Sequence, residues 1–450
     1  MRLQSMHKAT SGFYGSTPLI WWLGFILVWA PIPLGSNRPW AWALLHGLIA
    51  MGGIWHLFQV ARNKAPLFPK QWQLLLLFGP VLIAMYLAAQ LACALPGICS
   101  VDPYQTNIML EKSLYLLLFT YLLSQNCRNQ HQLKIILICI LISGGLQAIY
   151  GSLLNLSGLE LSPVFGIPEG EKARGSFVYQ NHYANYLALC LSIAIGWMLS
   201  ELSTSKQKVP LAKWLRAMAE LILSRKLLLR LAIILMVVGL VLSRSRMGNA
   251  GFFTALGIVA VLALFIYRRP PPLLKWLVLS IFVLDMLLIG SMFGVEKVKQ
   301  RMQDTSFVSE ARDEVVMHSL PLLEEQGLTG TGGGTFYTVF PRYQQQSYSG
   351  FYDHAHNDYL QFAIELGWPV TVLLCAWLAI ALWQSLYVMN KRKTKLYQGI
   401  AFGCCMAWVH MLMHSTVDFS LQAPANSLLF MTILTLAYLV RMLPGERKVF

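Results

Sequence analysis

Apolar stretches of about 20 residues recur from one end of this 450-residue chain to the other. A helix needs about 20 such residues to cross the hydrocarbon core of a bilayer. Only 12% of the chain is charged, against about 25% in an average soluble protein, so one large soluble core does not fit. The pattern predicts an all-α polytopic membrane protein of about twelve transmembrane helices. They fall near 18–35, 40–60, 72–95, 105–124, 134–155, 181–201, 228–243, 248–267, 273–293, 367–389, 397–418 and 424–441. The first stretch opens on Trp21-Trp22, an interfacial anchor, and lacks a small-residue cleavage site. It reads as a retained helix rather than a signal peptide.

The net charge of +15 is distributed as a topology signal. Cations cluster in alternate loops: Arg62/Lys64/Lys70, Arg128/Lys134, Lys206 to Arg230, Arg268/Arg269/Lys275, Lys391 to Lys395 and Arg441/Arg447/Lys448. With these inside, the positive-inside rule puts both termini in the cytoplasm. No nucleic-acid partner is implied. The segments left outside are 156–180, 244–247, a long helical periplasmic loop 294–366 between spans nine and ten, and 419–423. The cytoplasmic loop 202–227 mixes Leu211, Trp214, Leu215 and Met218 with Lys213 and Arg216. It reads equally as an interfacial helix on membrane lipids or as an ordinary linker helix. Cys93 and Cys99 flank an outer loop, where an oxidising compartment permits a disulfide that spacing alone does not decide.

The periplasmic loop carries most of the polar chemistry. Glu310 to Glu325 predicts a helix with Val315, Val316, Ser319, Leu320 and Leu323 facing inward, kinked by Pro321 and ended by Gly327. A glycine run follows, and Gly332 and Gly334 in it permit positive φ and close backbone approach to a substrate. From Ala355 onward, Leu360, Ile364 and Leu366 predict a further helix.

His356, in Asp353-His-Ala-His-Asn-Asp-Tyr-Leu360, is the first candidate for catalysis, because imidazole accepts a proton from a hydroxyl near neutral pH. Asn357, Asp358 and Tyr359 are placed to orient it or to bind a sugar. The plainer reading makes Asn357 and Asp358 helix caps. His354 with His356 and Asp358 also invites a metal, but alternate spacing converges only on a strand and no second ligand group is evident.

Arg312, Arg244 and Arg246 lie on the same side. Guanidinium forks suit phosphate oxygens, and the alternative is that each pairs with a nearby carboxylate. Between spans five and six, Arg174, Asn181 and His182 stand among Tyr179, Tyr183 and Tyr186. Such a mixture suits sugar hydroxyls and sugar faces, or else forms the aromatic belt of span six.

Tyr179-Gln-Asn-His-Tyr-Ala-Asn185, Ser245-Arg-Met-Gly248, Arg312 with Gly330-x-Gly-Gly-Gly-x-Phe336, and His356-Asn-Asp-Tyr-Leu-Gln with Glu365-Leu-Gly367 occur in an order that resembles the bacterial O-antigen ligase/polymerase superfamily. The resemblance spans about residues 150–420. It implies a GT-C-like glycosyltransferase at the periplasmic face, with no cofactor and no essential metal. The donor would be a glycan on undecaprenyl pyrophosphate, and the acceptor a hydroxyl of lipid A-core or of another glycan. By position, His356 corresponds to the family's proposed base, and Arg246 and Arg312 to its pyrophosphate-holding arginines. Arg244 competes for the first arginine place because the Ser-Arg step occurs twice.

Ligase and polymerase share these residues, and the family leans to ligase. A flippase or transporter of lipid-linked glycan is the reading from another class. It calls for polar groups at mid-membrane depth and repeat symmetry, whereas the span interiors offer little beyond Glu111, Lys112 and Asp285.

Overall fold

The computed structural model describes residues 16–62, 64–94, 96–201, 225–268, 274, 306–344 and 352–445. Among them, every regular element is a helix, with a single isolated bridge joining Leu161 and Pro168. The helices are α1 (Thr17–Trp29), α2 (Pro39–Ala61), α3 (Gln71–Leu91), α4 (Pro103–Asn126), α5 (Gln130–Ser157), α6 (Gln180–Glu201) and α7 (Arg225–Leu242). They continue with α8 (Arg246–Ile266), α9 (Ser306–Gln326), α10 (Phe336–Val339), α11 (Asp358–Leu366), α12 (Trp368–Lys391), α13 (Lys395–His414) and α14 (Pro424–Met442).

Eight of these, α2, α3, α5, α6, α8, α12, α13 and α14, are long and apolar enough to cross a membrane. The chain is a multi-pass membrane protein. α1 and α7 are shorter apolar helices, and α4 lies at the fourth expected span with Glu111 and Lys112 in its first half. The ninth stretch, 273–293, lies outside the described residues apart from Leu274, as does nearly all of the 202–227 loop. Local chemistry sets the helix starts. Proline occupies the first turn of α1, α2, α4, α12 and α14, where its missing N–H costs nothing. Ser16, Asp102, Asn129, Ser245 and Asn357 cap with their side chains. α1 stops at Trp29, short of the expected 35, because Pro31 and Pro33 cannot continue it.

The bundle centres on α6, α13 and α14, whose apolar side chains are almost all buried. α6 and α13 meet backbone to backbone. A Cβ added at Gly196 would lie 2.2 Å from the Gly399 carbonyl oxygen, and one at Gly399 would lie 2.2 Å from that of Gly196. Small residues allow such approach between helices in lipid. The periphery exposes Trp21, Ile54, Phe58, Met85, Phe265 and Trp383, side chains suited to acyl chains rather than water.

One end of the bundle carries a second, smaller core of Val315, Leu322, Phe336, Phe340, Ala355 and Ile364. α9 buries Val315, Ser319 and Leu322, while Leu320 is exposed. The expected inward Leu320 is thus corrected: positions i, i+4 and i+7 from Val315 share one helical face, and Leu320 falls off it. The α3–α4 hairpin supports this end, with its connection closed by a Cys93–Cys99 disulfide. The glycine run lies against that hairpin. Gly332 has φ +112°, and a Cβ there would meet the Ser100 hydroxyl at 2.5 Å.

Candidate active site

Phe419, in the 419–423 segment, meets the 156–180 segment through Tyr179 and the 294–366 segment through His354 and His356, and the 244–247 segment joins through the Ser245–Asn181 hydrogen bond. The loop between α13 and α14 delivers Phe419. On one side Phe419 stacks on His354, with ring centroids 4.2 Å apart, and takes His356 edge-on at 4.9 Å. On the other it stacks on Tyr179 at 5.9 Å and meets His182 edge-on at 4.9 Å. Three imidazoles from two distant stretches of sequence therefore share one phenyl ring.

His356 sits in the turn before α11 with φ +50°, a left-handed conformation that only a small share of non-glycine residues adopts. Tyr352 lies edge-on to it at 5.8 Å. The neighbours of His356 hold the turn. The Asn357 side chain accepts the Leu360 N–H at 3.0 Å, so its capping role is observed. Asp358 is buried; its N–H donates to the Ser415 and Asp418 carbonyls, and its carboxylate accepts the Ser415 hydroxyl at 3.1 Å. Burial pushes the Asp358 carboxyl well above its usual range. Asp358 thereby ties α11 to the loop that presents Phe419. The Tyr359 hydroxyl donates to the Leu412 carbonyl at 3.0 Å.

His354 is held through Gln361, whose amide nitrogen lies 3.0 Å from Nδ1, and burial pushes its pKa down. Gln361 also donates to Glu365 at 3.0 Å. The Glu365 carboxylate in turn accepts the N–H groups of Gly334 at 2.9 Å and Phe336 at 3.3 Å. Gly334 is thus engaged with Glu365, and Gly332 with the α3–α4 hairpin. The positive φ of both is used in packing that seats α11 and its histidines. Burial raises the Glu365 carboxyl to about 7, against the pull of these hydrogen bonds.

The arginines divide. Arg174 forms an ion pair with Glu169 at 3.1 Å, and Arg244 with Glu171 at 2.8 Å. Arg246, at the first position of α8, is exposed and makes no ion pair among the described residues. It is nonetheless fixed at its root. The Ser245 hydroxyl accepts the Gly248 N–H at 3.2 Å and donates to Asn181 at 2.8 Å, and the Asn181 amide donates to the Tyr179 hydroxyl at 3.0 Å. The route from Arg246 to Phe419 therefore runs Ser245, Asn181, Tyr179. Arg312 falls on α9, and its side chain lies outside the described part. Among the described residues no three His, Cys, Asp or Glu side chains converge as a metal-ligand set.

Residues 231–375 match the family model described as O-antigen ligase. The match agrees with the resemblance to the O-antigen ligase/polymerase superfamily that the motifs carry. No curated protein matches the chain. The matched region contains Ser245, Arg246, Arg312, the glycine run and the His354–Tyr359 cluster. Asn181, His182 and Phe419 lie beyond it on either side and complete the site in space. The family implies a glycosyltransferase-like ligase or polymerase activity on lipid-linked glycans. The sequence motifs include Ser245 and Gln361 without a role for either, and they leave out Phe419. For Phe419 the available signal was one aromatic residue inside a short polar connection between two spans.

Proposed function

We propose that the protein is a glycosyltransferase of the bacterial inner membrane, with both termini cytoplasmic and its site facing the periplasm. It would move a glycan from undecaprenyl pyrophosphate to an acceptor hydroxyl, most simply that of lipid A-core, as an O-antigen ligase. The observation that carries this reading is the meeting of His354, His356 and His182 around Phe419, joined through Asn181 and Ser245 to the root of Arg246.

Pyrophosphate is already a good leaving group, so the work left to the protein is positioning, deprotonation and charge stabilisation. The acceptor oxygen attacks the anomeric carbon and passes its proton to the His356 imidazole. The bond between the anomeric carbon and the pyrophosphate oxygen breaks, and undecaprenyl pyrophosphate departs with the electron pair. Arg246 and Arg312 hold the two phosphates as charge builds on them. A single displacement inverts the anomeric centre, and no metal is assigned a part.

The test is the size profile of glycans left on undecaprenyl pyrophosphate in a strain lacking the protein. Long polymers stranded on the carrier are the result expected of a lost ligase. Single repeat units would make the protein a polymerase, and an unchanged profile would refute both.

A further inference from the structure

His354 and His356 face the same Phe419 ring, yet the surroundings of His354 give it a chemistry of its own. Its imidazole lies nearly parallel to Phe419, with 21° between the planes, and its Nδ1 meets the Gln361 amide. The other contacts of that amide decide which way round it sits. Gln361 Oε1 accepts the Ala355 N–H at 3.3 Å, and Gln361 Nε2 donates to Glu365 Oε1 at 3.0 Å. A flipped amide would set two donors against each other at Ala355 and turn an oxygen towards the carboxylate. Gln361 Nε2 therefore gives one hydrogen to Glu365 and has its second for Nδ1, 3.0 Å away. Oε1 also stands 3.2 Å from Nδ1, but a proton on Nδ1 would oppose the nearer amide hydrogen.

An imidazole nitrogen that accepts a hydrogen bond carries no proton, so the neutral His354 ring holds its proton on Nε2. Burial keeps the ring neutral by lowering its pKa. Nε2 points away from Gln361, and the Asp353 carboxylate stands 3.9 Å from it, beyond hydrogen-bond distance. The nitrogen that His354 offers to the site is thus a donor with no lone pair, unable to take a proton from an acceptor hydroxyl.

We propose that His354 is a fixed hydrogen-bond donor, its Nε2–H set against the pyrophosphate oxygen that leaves the anomeric carbon, with Gln361 and Glu365 as the positioning residues behind it. This rests on the transferase reading above. Proton removal is already assigned to His356, and the other atom whose charge changes most in the displacement is the departing oxygen. A rigid donor aimed there stabilises the transition state more than the bound substrate. The bond is a hydrogen bond only, and His354 stays neutral throughout. The Glu365 carboxylate is itself held by the Gly334 and Phe336 N–H groups, so the glycine run sets the tautomer of a histidine in the site.

The experiment reads the full-length protein in liposomes in two ways. Solid-state NMR of protein labelled at the histidine nitrogens, with the His354 signals assigned by their loss in His354→Gln, is expected to show Nε2 protonated and Nδ1 bare with no substrate added. In Gln361→Leu the His354 ring is expected to divide between its tautomers. Transfer of a labelled glycan is expected to lose about 100-fold in kcat in His354→Ala, with KM for the carrier unchanged. His354→Gln, which restores a donor near Nε2 but no base, is expected to recover most of that loss, while His356→Gln stays inactive. A proton found on Nδ1 would overturn the inference. So would full turnover in His354→Ala, or a loss expressed in KM alone, which would put the bond on the bound glycan. The expected tautomer in a protein that transfers to no acceptor would leave the Glu365–Gln361–His354 arrangement standing and sink the transferase reading instead.

Discussion

Replacing Phe419 by alanine tests whether the shared ring positions the chemistry. The substitution removes four ring contacts, two of them to His354 and His356. An aromatic pair is worth about 0.5–1.5 kcal/mol beyond its buried area, so these two together restrain the imidazoles by about 1–3 kcal/mol. If only the restrained orientation of His356 accepts the proton, its loss lowers kcat by roughly 5- to 150-fold. Phe419 is only partly buried, so the stability cost stays below the roughly 3–5 kcal/mol of a fully enclosed phenylalanine. The assay is transfer of a labelled glycan from its lipid carrier in proteoliposomes, with melting temperature followed in parallel. We expect Phe419→Ala to lower kcat with little change in KM for the carrier, and Phe419→Tyr, which keeps the ring face, to retain most activity. Wild-type turnover in a folded Phe419→Ala protein would refute the argument.

Arg246→Lys and Arg312→Lys keep the charge but lose the bidentate fork; each is expected to cut transfer about tenfold or more, and full activity in both would remove the clamp. Glu365 gives a pH signature. Its carboxyl rises from 4.5 to about 7 on folding, so the fold favours the neutral acid: stability is fully present below about 4.5 and declines as pH rises to about 7. The span corresponds to about 3 kcal/mol. Melting across that range should slope downward in the wild type and flatten in Glu365→Gln; parallel curves would exclude Glu365 as the source. Gly399→Val drives a side chain into the Gly196 carbonyl and should abolish recovery of folded protein, whereas recovery in wild-type yield would mean that α6 and α13 are not so close. Cys93→Ser should lower stability by about 2 kcal/mol through the lost six-residue closure, seen as a fall in melting temperature equal to that caused by reductant in the wild type.

The membrane-spanning elements were legible because lipid imposes one demand on every span, and prolines and capping residues mark where the spans begin. The site was legible as residue types but not as an arrangement. His354 and His356 face Phe419 only because Asp358 ties its own turn to the α13–α14 connection, a contact between residues some 60 positions apart. Nothing local records it. The partners of Arg174 and Arg244 were closer to hand, since Glu169 and Glu171 belong to the same loop as Arg174. The glycine run shows the opposite difficulty. Positive φ serves a bound ligand and a crowded neighbour equally well, and the choice of Ser100 and Glu365 as neighbours is made by the tertiary fold.

The backbone contact between α6 and α13 bears on how substrates can be handled. α6 carries His182 at its first turn, and α13 leads directly into the loop bearing Phe419. With Gly196 and Gly399 in mutual contact, neither helix can slide or rotate past the other without colliding with a carbonyl. Rocking of one half of a bundle against the other, as alternating access demands, has no slip plane there. The two halves of the histidine cluster are riveted to one spine. Under the proposed transfer, the substrates would come to a site that stays fixed on this spine.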